Sequence, residues 1–161
     1  MDTTKSTTGY LYTFVGAVVS WVSRLQRIIA LSTTEVECIA TTEACKEMVW
    51  MQRFLGEIGI KQDKYVLYCD SQSVIHLAKN LTFHSKTKHI ELRYHWIRHV
   101  LEEGQLCLEE IHTDKNPADM LANILPRNKH ELCRGMVGNC VTRFKILHSA
   151  SSGRILNEKS T

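Results

Sequence analysis

Over residues 33–56 the apolar positions Val36, Ile39, Ala40, Ala44, Met48, Met51 and Leu55 recur at helical spacing, directly behind a stretch that reads as β-structure. Ser32 followed three residues later by Glu35 is a capping-box pattern, and Gly56 and Gly59 mark the far end. The preceding segment, Gly9 to Trp21 (GYLYTFVGAVVSW), is rich in β-branched and aromatic residues and is interrupted by Gly16. It reads as a hairpin with strands near 9–15 and 17–22, and Ile28 to Leu31 can extend a third strand.

Beyond the long helix, Tyr65 to Cys69 (YVLYC) has the continuous apolar character of a buried strand. A short helix is expected from about Ser71 to Lys79, then a polar loop from Asn80 to Lys88. Ile90, Tyr94, Ile97 and Leu101 mark a second long helix stopped by Gly104, and Leu106 to Ile111 reads as a strand. Asn116-Pro117 is expected to open a final helix, with Asn as its cap and Pro in its first position. Strands alternating with helices indicate an α/β domain, here over residues 1–125. Residues 126–161 read as a C-terminal extension ending in a disordered polar tail, Ser149 to Thr161.

The bulk numbers permit this. A chain of 161 residues, 43% hydrophobic and 23% charged, suits one packed domain. No apolar run nears the roughly 18 residues that cross a membrane, and no signal segment opens the chain, so an intracellular location without membrane contact is expected. None of the six cysteines forms a C-x-x-C pair, which leaves buried free thiols as the better reading. A net charge of +3 is too small to argue for nucleic acid by itself.

Three carboxylates stand out. Asp70 ends the apolar run YVLYC, where ligands bind outside the carboxyl ends of strands, although a helix N-cap explains it as well. Glu37 lies at the edge of the long helix's apolar stripe and is either exposed or turned toward a strand end. Asp119 falls in the first turn of the last helix, where an acid also suits the helix dipole. If such acids converge, their mutual repulsion is relieved by a divalent cation, and hard oxygen ligands select Mg²⁺ or Mn²⁺. Two such ions about 4 Å apart can activate a water and stabilise the leaving oxygen of a phosphodiester.

Five motifs in order turn these separate positions into a family pattern: KSTTGY with VVSWVSRLQ, ALSTTEVECIA, YCDSQSVIHLAKN, FHSKTKHIELRYHWIR and NPADML. Over about residues 3–125 they resemble the RNase H domain of copia-type retrotransposon Pol polyproteins. The resemblance implies an RNase H-like mixed sheet flanked by helices. It implies two-metal cleavage of the RNA strand of an RNA–DNA hybrid, alongside the reverse transcriptase portion of the polyprotein. By motif position Glu37, Asp70 and Asp119 become the catalytic, metal-binding carboxylates.

The sequence also departs from that family. The family carries a further metal-binding aspartate on a first central strand before KSTTGY, and the sequence begins after it; Asp2 matches the following loop and does not inherit the role. A sheet without its central strand must re-pair around the hole or be marginal, so impaired cleavage and poor stability are expected. Cys38 stands where tyrosine is usual, and Ala122-Asn123 replaces the usual Thr-Lys after ADML.

Residues 79–99 hold Lys79, Lys86, Lys88, Arg93 and Arg98 against the single acid Glu91, with Tyr94 and Trp96 interleaved. Lys86, Lys88, Arg93 and Arg98 are expected to meet hybrid phosphates. His112, seven residues before Asp119, is a possible accessory group, with a plain strand-end histidine as the simpler reading. The alternative function is a non-catalytic retrotransposon remnant that at most binds nucleic acid.

Overall fold

The computed structural model describes residues 5–79, 88–138 and 144–151. The β-rich opening folds as β1 (Thr7–Phe14) and β2 (Ala17–Leu25), paired antiparallel with a bulge after Tyr12. Val15 and Gly16 form the two-residue turn, both at positive φ (50° and 81°), the conformation that matches the twist of a tight hairpin. Ile28 to Leu31 form no strand. Instead the buried Gln26 ties down the connection, its amide donating to Thr8 Oγ1 (3.0 Å) and to the Val36 carbonyl (2.9 Å).

Helix α1 (Thr33–Glu57) has the expected bounds within a residue. Ser32 Oγ accepts the Glu35 amide at 3.2 Å, while Glu35 Oε2 accepts the Leu31 N–H at 2.8 Å, one residue before the capping-box position. Then come β3 (Val66–Cys69), α2 (Gln72–Lys79), α3 (Lys88–Glu102) and β4 (Cys107–Glu110). Of the loop expected from Asn80 to Lys88, residues 80–87 lie outside the described ones, and Lys88 already belongs to α3.

The last helix differs from its sequence reading. Asn116 is extended, and its Oδ1 accepts the Ala118 N–H at 3.2 Å, closing a local turn. Helix α4 (Asp119–Ala122) therefore starts two residues later than Pro117 and has four residues. A further helix, α5 (Arg127–Gly138), follows.

The largest departure is β5 (Phe144–Ser151), which falls in the segment read as an extension and reaches into the expected tail. The sheet order is β2-β1-β5-β3-β4, so β5 is the central strand. It pairs antiparallel with β1 along its whole length and parallel with β3. The hole expected at the centre is filled by re-pairing with this later segment, and residues 152–161 lie outside the described ones.

One face of the sheet packs on α1, α2 and α3. Tyr10 and Tyr12 alternate onto that face with Leu67, meeting Ile39, Met48, Ile90, Tyr94 and Ile97. Tyr12 Oη donates to the Ala44 carbonyl at 2.6 Å, fixing helix to strand. Leu11, between the two tyrosines, faces the other way toward Ala118, Leu121 and Val137 of the α4–α5 layer. The result is a mixed α/β architecture compatible with an RNase H-like fold. Cys38, Cys45, Cys69 and Cys133 are buried free thiols, as expected, and Cys107 is half-buried. Among the described residues no helix is long and apolar enough to cross a membrane.

Candidate carboxylate site

Three elements bring their acids to one cleft of about 320 Å³. The first turns of α1 contribute Glu37, the end of β3 contributes Asp70, and the start of α4 contributes Asp119. The central strand completes the wall with Ser149 and Ala150. The stripe-edge position of Glu37 thus turns inward, and Asp70 lies outside a strand end as its place in YVLYCD suggested.

Burial and then the Asp70 charge raise the Glu37 carboxyl from its ordinary 4.5 to about 8, against the Ala150 N–H, which favours the charged form. Burial also raises Asp70, while the Asn116 side chain and, less strongly, Lys129 hold it down. An acid whose folded pKa exceeds its unfolded one stabilises the fold below the unfolded value and loses that contribution as pH rises. Stability should therefore fall between pH 4.5 and 8 through Glu37. In Glu37→Gln that slope should flatten, read as urea midpoints on either side of the window; an unchanged slope would place the titration elsewhere.

Asp119 is the most enclosed of the three, its side chain only 6% exposed. Lys129 Nζ, from α5, lies 3.0 Å from Asp119 Oδ2. Asn123 Nδ2 donates to Asp119 Oδ1, and Ser149 Oγ reaches the same oxygen at 3.5 Å. Asn123 is the residue standing where the usual lysine is absent, and a different lysine arrives from the next helix. Lys129 was one of 20 Lys and Arg residues with no motif to mark it.

The donor chemistry suits Mg²⁺ or Mn²⁺, but the arrangement does not fit them as it stands. Both oxygens of Asp119 are engaged by protein donors, and the central strand brings no further carboxylate. Among the described residues no three His, Cys, Asp or Glu side chains come together closely enough to hold one ion.

The other sequence candidates lie elsewhere. His112 does not line the cleft; it caps the 3₁₀ turn Thr113–Lys115, its Nδ1 accepting the Asp114 N–H at 3.3 Å, and is largely exposed. Lys88 is exposed at the start of α3, and Lys86 lies outside the described residues. Arg93 and Arg98 are half-buried and, at 100° per residue, flank the buried stripe Ile90–Tyr94–Ile97 on opposite sides. The basic segment is therefore not one continuous face. Arg93 instead joins Arg24, Arg27, Lys46 and Trp50 around a second cleft of about 640 Å³, a grouping that sequence order hides.

Comparison with known proteins decides the origin of the chain. It is 56% identical over 138 residues, 86% of its length, to the retrovirus-related Pol polyprotein from transposon TNT 1-94 of Nicotiana tabacum. Its homologues are copia-type retrotransposon Pol polyproteins. Those from transposons RE1 and RE2 of Arabidopsis thaliana are 34% and 35% identical over 88% and 78% of the chain. The chain spans about a tenth of the length of these curated Pol relatives. No family model and no solved structure matches it. The Pol homology accounts for the domain's retroelement ancestry.

Proposed function

We propose that the chain is an RNase H-type domain of a retrotransposon Pol polyprotein that engages RNA–DNA hybrids, and that its carboxylate site, closed as described, does not cut them. The observation that carries the reading is the convergence of Glu37, Asp70 and Asp119 from three elements on one cleft beside the central strand. A helix cap explains any one of these acids, but caps give no reason for three to meet. In a polyprotein the reverse transcriptase portion would supply the hybrid. Mg²⁺ or Mn²⁺ is the ion class such a cluster would take once its carboxylates are released.

Binding and cutting separate in one experiment. The full chain should bind a short RNA–DNA hybrid at low salt and leave its RNA strand intact with Mg²⁺ or Mn²⁺. The affinity should fall with salt by a log–log slope of about −0.7 to −0.9 per phosphate contact. Charge reversal at Lys86 and Lys88 together should weaken binding and flatten that slope. Absence of hybrid binding would remove the RNase H-type reading; efficient cleavage by the unaltered chain would remove the closed site.

A further inference from the structure

The α4–α5 layer lies on the face of the sheet opposite α1 and brings one cation onto Asp119, beside the acidic cleft rather than in its lining. Lys129 is the third residue of α5, and its side chain is 31% exposed against 6% for Asp119. The pair is thus reached from solvent on the lysine side and enclosed on the carboxylate side. Asp70 also feels Lys129 as an attraction and Asp119 as a repulsion, so the ammonium offsets charge on more than its immediate partner. Asn123 and Ser149 complete the donors around Asp119, leaving the lysine as the charged one.

A carboxylate held this way resembles one whose cation is already in place. A divalent ion entering the cleft has to replace a 3.0 Å ammonium contact before it can use Oδ2, and it meets the repulsion of the displaced cation as it does so. Helix α5 begins after the exposed Ile124 and Pro126, and Arg127 at its start pairs along the helix with Glu131 rather than with the sheet. Lys129 can therefore swing or shift outward without breaking a strand pairing.

We propose that Lys129 is a built-in cation that locks the carboxylate cleft, excluding divalent ions from Asp119 until α5 or the lysine side chain moves away. The inference rests on the RNase H-type reading of the cleft and adds the way in which this chain closes it. Removing the ammonium leaves Asp119 enclosed and uncompensated, a state that a divalent ion relieves.

The test is Mn²⁺ binding to the full chain, followed by the loss of the free-ion electron paramagnetic resonance signal. Lys129→Met should bind Mn²⁺ about tenfold or more tightly than the unaltered chain, as expected for removing a like charge in direct contact. Lys129→Arg should bind as the unaltered chain does. Lys129→Gln, which keeps a hydrogen-bond donor but drops the charge, should follow the Met variant and carries the test if that variant does not fold. Lys61→Met, at an exposed lysine away from the cleft, should change nothing. A second readout is the melting temperature: Mn²⁺ should raise it more in Lys129→Met or Lys129→Gln than in the unaltered chain. Equal Mn²⁺ affinity in the unaltered chain and the folded, uncharged variants overturns the lock while hybrid binding persists. Loss of hybrid binding by the unaltered chain is the separate failure, that of the RNase H-type reading.

Discussion

Leu147→Pro is expected to abolish cooperative unfolding of the chain. Leu147 sits mid-way along β5, opposite Leu11 on one side and Tyr68 on the other. Proline has no N–H for the ladder and is confined to edge strands and bulges, so a central strand tolerates it poorly. An acceptor left buried without its donor costs about 1–3 kcal/mol, before any steric displacement. The consequence exceeds that local loss because, among the described residues, β1–β2 and β3–β4 do not pair with each other and β5 is the strand that joins the two pairs. Against a typical net stability of about 5–15 kcal/mol, losing that junction removes most of what holds the sheet together. Val19→Pro is the internal comparison, since Val19 is skipped in the register of the edge strand β2 and should be far milder. Urea titrations followed by tryptophan fluorescence decide it. A Leu147→Pro midpoint equal to that of the unaltered chain would deny β5 its central place.

The second large effect is expected at Gly9. A Cβ there would stand 2.8 Å from Leu121 Cβ and 3.0 Å from both Ala122 N and Leu121 C. Two of those atoms are backbone, so no side-chain rotation relieves the clash. Gly9→Ala must bow β1 or push α4 off the sheet, against the Ser23 hydroxyl that donates to the Leu121 carbonyl at 2.6 Å. Overpacking of this kind costs about 1–3 kcal/mol. Because α4 starts with Asp119, the same shift should loosen Lys129 from its partner and raise Mn²⁺ affinity. Gly56→Ala supplies the contrast: nothing lies within 4 Å of its Cβ, so the substitution should stabilise α1, by up to about 1 kcal/mol. A Gly9→Ala chain as stable as its parent would mean that strand and helix do not approach so closely.

What the sequence made legible was local. Helix α1 carries its own cap and its own period, so its bounds could be read within a residue. Asp70 was marked by an apolar run that ends on it. The helix start near Asn116 is ambiguous in sequence, because an asparagine that caps a helix and one that closes a turn two residues earlier look alike there. The central strand was hidden for a different reason. Lys145, His148, Ser149 and Ser151 give FKILHSAS a polar cast, and its place depends on partners more than 70 and 130 residues away along the chain. Lys129 had no local signature either: its meaning comes from the 3.0 Å contact with an acid ten positions before it.

The order in which the sheet is built has a consequence for synthesis. The middle of the sheet is the last of its strands to leave the ribosome. Between completion of β4 at residue 110 and of β5 at residue 151, translation at ordinary rates takes on the order of a few seconds. Throughout that interval β1 and β3 each present an open edge of unpaired amides and carbonyls, the kind of edge that recruits other strands. The nascent domain thus keeps two strand edges open until its own centre has been made.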